Sequence, residues 1–130
     1  MFFYDGDTGE FRKLEGITLD KISTGGAFPL RNELQVWGLK RKDDVGPIIL
    51  HEIFRAVKNV SNPDLFEFHK VDGELLMVFA GNPEDGSVWG INAFHEIFQF
   101  DGNAFVRRDD RKQWIDVSVG RDTVWALASP

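Results

Sequence analysis

One stretch of this chain is repeated, and the repeat limits the fold more than any other feature. Ser87-Val88-Trp89-Gly90-Ile91-Asn92 runs directly into Ala93-Phe94-His95-Glu96-Ile97-Phe98. Val36-Trp37-Gly38-Leu39 opens a second copy, which His51-Glu52-Ile53-Phe54 closes after an insertion. Val124-Trp125-Ala126-Leu127 opens a third. The three Trp positions lie 52 and 36 residues apart, a period suited to the blades of a propeller.

Strand patterns fill the gaps between these marks. Phe2-Phe3-Tyr4-Asp5-Gly6 parallels Phe98-Gln99-Phe100-Asp101-Gly102, with an Asp-Gly turn signal after alternating apolar residues. Ile22-Ser23-Thr24-Gly25, Val78-Phe79-Ala80-Gly81 and Val117-Ser118-Val119-Gly120 each end an alternating run at a glycine. The segment 52–60 could be drawn as a helical turn, but its match to 95–100 favours a strand. One unit thus reads as a Val-Trp strand, a His-Glu-Ile-Phe strand, a Phe-led strand and a strand ending in Gly. The fold class expected is all-β: a β-propeller of four-stranded antiparallel blades, in a single domain spanning 1–130. The blade units fall at roughly 36–87, at 88–123, and at 124–130 combined with 1–35. That makes about three blades, and propellers typically close with four to eight. A homodimer forming a six-bladed ring is therefore expected, with a fragment of a longer propeller, or three blades wrapped some other way, as the alternatives.

Composition narrows the function. The 130 residues hold 12 Phe, 4 Trp and 13 Gly, which favours short strands and many turns. A formal charge of −6 argues against nucleic acid or an anionic lipid surface as partner. The basic clusters Lys40-Arg41-Lys42 and Arg107-Arg108 abut Asp pairs and read as solvated turns. There is no cysteine, hence no disulfide framework. The N-terminus lacks a signal-peptide pattern and no apolar run reaches membrane-spanning length, so a cytoplasmic protein without membrane insertion is expected.

The Val-Trp-Gly strands, the preceding Ile22-Ser23-Thr24-Gly25 and Val117-Ser118-Val119-Gly120, and Asp122-Thr123-Val124-Trp125-Ala126-Leu127 together resemble the tectonin repeat. The likeness is best over 66–125, good over 11–39 and poor over 40–65. It implies a six-bladed propeller lectin, with a role in innate defence and glycans of microbial or other foreign surfaces as ligands, O-methylated sugars among them. Other members of the family act as scaffolds in membrane trafficking. The chain departs from the family in carrying about half the usual number of repeats. Its first complete unit also has no Trp before Val71-Asp72-Gly73, so equivalent sites around a ring are not expected.

Candidate ligand residues follow from the repeat. Trp37, Trp89 and Trp125 share one unit position and could be sugar platforms or core between blades, because an indole offers a face to pyranose C–H groups and also packs well. Trp114, beside the polar loop 109–113, is the better candidate for an exposed ring. His51 and His95 precede Glu52 and Glu96, but the metalloprotease spacing fails: Arg55 and Gln99 stand where a second His is needed. Within a strand, neighbouring residues point to opposite faces, so each His-Glu pair reads as structural or as ligand rim rather than as metal ligands. Asn92 can donate to and accept from a hydroxyl. Asp5-Gly6-Asp7-Thr8-Gly9-Glu10 reads as a hairpin turn, since Gly16 occupies the last position of a calcium loop. No metal, cofactor or catalytic constellation is expected. Glycan binding is the expected function, and a non-catalytic protein–protein interaction scaffold is the alternative.

Overall fold

A computed structural model of the chain describes residues 2–5, 8–13, 17–25, 35–42, 46–58, 66–81, 87–120 and 123–130. Residues 1, 6–7, 14–16, 26–34, 43–45, 59–65, 82–86 and 121–122 lie outside the described residues, so the reading of Asp5–Glu10 as a hairpin turn falls partly on them. Twelve strands are described, and no helix among the described residues. They are β1 (Phe2–Asp5), β2 (Glu10–Lys13), β3 (Lys21–Gly25), β4 (Gln35–Arg41), β5 (His51–Lys58) and β6 (Phe66–Leu75). Then come β7 (Met77–Ala80), β8 (Val88–Ile91), β9 (Ile97–Phe100), β10 (Phe105–Asp109), β11 (Trp114–Val119) and β12 (Val124–Ala128). The protein is all-β, as the alternating pattern implied, and 51–58 is a strand.

Every pairing is antiparallel, and strands pair in chain order: β3-β4-β5-β6 form one four-stranded sheet and β7-β8-β9-β10 a second. Two hairpins, β1-β2 and β11-β12, stand as two-stranded sheets. These groupings are shifted by one strand from the units 36–87, 88–123 and 124–130 with 1–35. A Gly-ended strand begins both four-stranded sheets and the β11-β12 hairpin instead of ending a unit. The connections explain the shift. Only Leu76 separates β6 from β7, and one residue cannot reverse the chain into a hairpin. The chain therefore leaves the first sheet there, with the Leu76 amide donating to the Ile91 carbonyl in the second at 2.7 Å.

The Gly-ended strands β3, β7 and β11 lie next to one another. Ala80 N donates to Ser23 Oγ at 2.9 Å across the first junction. A Cβ on Gly25 would collide with the Gly81 carbonyl, and one on Gly81 with Val119. The glycines thus permit a backbone approach that any side chain would block. A second close contact recurs at Gly38 and Gly90, where Leu19 and Leu75 respectively press on the Cα.

Alternation on β4 turns Trp37 and Leu39 to one face, where the second sheet covers them. Their core includes Ile53, Val71, Leu75, Val78, Val88 and Phe100. Trp37 is 2% exposed. It meets Phe100 edge-on at 4.8 Å between centroids and Phe105 at 5.6 Å, a favoured geometry for aromatic pairs. A smaller core of Ile91, Ile97 and Val117 joins the second sheet to β11, with Trp89, Trp114 and Ala126 packed around it. Each sheet buries the Trp face of the one before it. Beyond β12 nothing is stacked among the described residues, and Trp125 is 73% exposed.

Candidate functional site

An open cleft of about 330 Å³ lies where the two four-stranded sheets meet. Lys42 just after β4, Glu52 from β5 and Lys70, Asp72 and Glu74 from β6 form one wall. The turn Asn92–Phe94 after β8 forms the other. The β5–β6 register explains the opening. Ile53 stands opposite Val71 but Glu52 opposite Glu74, so Asp72 and Gly73 bulge out of the ladder. Gly73 has φ of 109°, a conformation glycine adopts without strain. Such bulges redirect side chains and are frequent beside binding sites.

Four of the wall's five charges are paired. Lys42 Nζ lies 2.8 Å from Glu74 Oε1, and Lys70 Nζ 3.4 Å from Glu52 Oε1. The hydrogen bond to Glu74, reinforced by its charge, pushes the Lys42 pKa up. Donors and carboxylate acceptors therefore stand together on a partly exposed surface.

The opposite wall is a rigid display. Asn92 Oδ1 accepts from the amides of Phe94 (3.1 Å) and Glu96 (2.9 Å). Asn92 Nδ2 donates to Glu96 Oε1 at 3.0 Å. Arg107 donates to the other Glu96 oxygen at 2.9 Å. Together Asn92 and then Arg107 hold the Glu96 carboxyl below its ordinary pKa. His95 closes the turn at φ 63°, its Nδ1 3.1 Å from the Trp114 carbonyl, a contact that requires Nδ1 to carry the proton. The braced turn presents the Phe94 ring, 52% exposed, at the mouth of the cleft, with Lys112 Nζ 5.9 Å from its centroid.

The structure scatters the residues that the sequence nominated. Trp37 is core and offers no free face. Trp89 is half-buried, its indole nitrogen shielded without a hydrogen-bond partner among the described residues. Trp114 is half-buried in the second core beneath Arg111, whose Cζ is 5.5 Å from its ring. Six residues before each strand-ending glycine stand Leu19, Leu75 and Trp114, so Trp114 takes the place of a packing leucine. Trp125 is exposed, but on β12, far along the chain from the cleft walls. His51 is buried; burial and then Lys21 push its pKa down. His95 is exposed and, with Glu96, lies in the turn rather than in a strand, since β9 begins at Ile97. Of the nominated residues, Asn92 alone lines the cleft, and its side chain is engaged in bracing the turn.

Phe94, Asp72 and the two Lys–Glu pairs were missed. Phe94 had a signal: a large apolar residue two places after an Asn that begins a turn. The charged pairs had none, because their members lie 18 and 32 residues apart in the chain and meet only through the sheet.

No group of three or more His, Asp or Glu side chains among the described residues is placed to hold a metal ion. No described helix is long and apolar enough to cross a membrane. No protein-family model matches the chain. Over 38 residues it is 47% identical to Tectonin-1 of Physarum polycephalum. The match covers 29% of this chain and 17% of that protein's length. The chain is thus similar, over a short stretch, to a tectonin, and its repeated antiparallel sheets fit a tectonin-related β-rich protein.

Proposed function

We propose that the chain is a carbohydrate-binding protein, a lectin of the β-propeller kind, and not an enzyme. The observation that carries this reading is the cleft at the sheet junction, where an exposed ring held by a braced turn faces paired lysines and carboxylates. Phe94 supplies an apolar face for the C–H side of a pyranose. Asp72, Glu52 and Glu74 accept from hydroxyls, and Lys42 and Lys70 donate to them. At about 330 Å³ the cleft is at the small end of ligand pockets, roughly 300–1,000 Å³, and suits a terminal sugar. The short similarity to a tectonin supports a lectin-like, β-propeller reading, and surface glycans, O-methylated sugars included, are the ligand class that the repeat resemblance implies. Displayed more than once when copies of the chain assemble, weak sites of this kind gain avidity from multivalency.

A glycan array that includes methylated sugars, followed by calorimetry on the best ligand, tests it. Single-site dissociation constants between millimolar and micromolar are expected, roughly −4 to −8 kcal/mol. Phe94→Ala, at an exposed turn position, should weaken binding about tenfold, near 1.4 kcal/mol, without unfolding the chain. A blank array, or a ligand indifferent to Phe94, overturns the assignment.

A further inference from the structure

We infer that a second copy of this chain docks on the open face of β12, and that two copies share two composite blades. The interior of the molecule shows what that face lacks. Leu39 and Val78 are buried together at the first junction, and Ile91 and Val117 at the second. One residue pair in register with these remains: Leu127, two places after Trp125, and Ile22, three places before Gly25. They are 60% and 51% exposed, at opposite ends of the strand order. Each end thus displays one half of a junction that the interior builds twice. A contact that joins unlike ends is head-to-tail, and it makes a closed ring when the rotation between copies returns to the start.

The strand pairing is complementary in the same sense. β11-β12 matches the first two strands of a four-stranded sheet, β7-β8, and β1-β2 matches the last two, β9-β10. Among the described residues β12 pairs only with β11, and β1 only with β2. A sheet of order β11-β12 followed by the partner's β1-β2 repeats the order of the second sheet. The register follows too: Gly38 stands opposite Phe54 and Gly90 opposite Phe98. The equivalent pair is Ala126 opposite the partner's Phe2. Two whole sheets and two halves per copy give six sheets for two copies, within the usual propeller range.

This rests on the propeller part of the reading above, but its test involves no sugar, so a failed dimer and a blank glycan array are separate results. Light scattering is expected to give twice 14.8 kDa, falling to 14.8 kDa for Leu127→Asp with its β circular dichroism intact. The chain has no cysteine, so introduced thiols report contacts cleanly. The double variant Ile22→Cys, Leu127→Cys is expected to form an intermolecular disulfide that ends at dimers, whereas neither single variant links to itself. A monomer at every concentration overturns the inference. So does self-linking of either single variant, which means a like-to-like contact, or a ladder of higher species, which means an open chain.

Discussion

Trp37 and Trp125 occupy the same position in the repeat and meet opposite fates. Both follow a Val on a strand next to a Gly-ended strand, in matched registers: Ser23 opposite Trp37, Ser118 opposite Trp125. One indole is enclosed by Phe100 and Phe105 of the following sheet, and the other stands in the open. Local sequence therefore sets the strand and the face, while the neighbouring sheet decides whether that face is core. The repeat unit is a half-interface, and its hydrophobic content has meaning only once the next unit is stacked on it.

The contrast is broken most strongly at the enclosed end. Trp37→Ala removes a buried indole from the centre of the larger core, where truncating Trp costs about 3–5 kcal/mol. Because that is a large share of a domain's roughly 5–15 kcal/mol, urea unfolding should show a midpoint shifted far down or a chain that no longer folds. A midpoint near that of the wild type would mean that the second sheet does not press on Trp37 as described.

Legibility in the sequence follows the same division. Strands, their glycine ends and the Asp-Gly hairpin were readable because period and turn chemistry are local: β5 was placed from its match to a segment forty-odd residues on. Sheet boundaries were not, because the decisive feature, the single residue Leu76 between two strands, looks like an interruption within one run of strand residues. The site was read least well. Trp, His and Asn were nominated on chemical versatility, yet packing claimed Trp37 and His51 and a turn claimed Asn92. The cleft is built by a bulge at Asp72–Gly73, which arises from how β6 registers on β5; the glycine inside the strand is its one mark in the sequence, and it does not say where the side chains around it will meet.

His51 and His95 form a second matched pair, smaller in effect. His51 lies buried on β5 near Lys21, Asp20 and Arg41, and its pKa is lowered first by desolvation and then by Lys21. The folded state thus resists the proton that the unfolded chain accepts near pH 6.5. Its contribution to stability is complete above pH 6.5 and is lost as pH falls below that value, with a slope of at most about 1.4 kcal/mol per pH unit. His51→Gln should flatten that part of the stability–pH curve. A curve of unchanged slope in the variant would show that the acid sensitivity comes from other groups.

The smallest effect on the single chain is expected at the open end, and it sharpens the comparison most. In a Leu127→Asp background, which holds the protein as single chains, Trp125→Ala should change unfolding free energy by no more than about 0.5 kcal/mol, as for an ordinary surface residue. The same substitution in the wild-type background should act on assembly instead, because an indole covered on docking becomes part of a junction like that of Trp37. Unfolding of the wild type should then depend on protein concentration, since association stabilises the folded chain by mass action. Trp125→Ala should abolish that dependence. If Trp125→Ala costs as much in the isolated chain as Trp37→Ala does, the third Trp is already enclosed within one copy, and the open face does not exist.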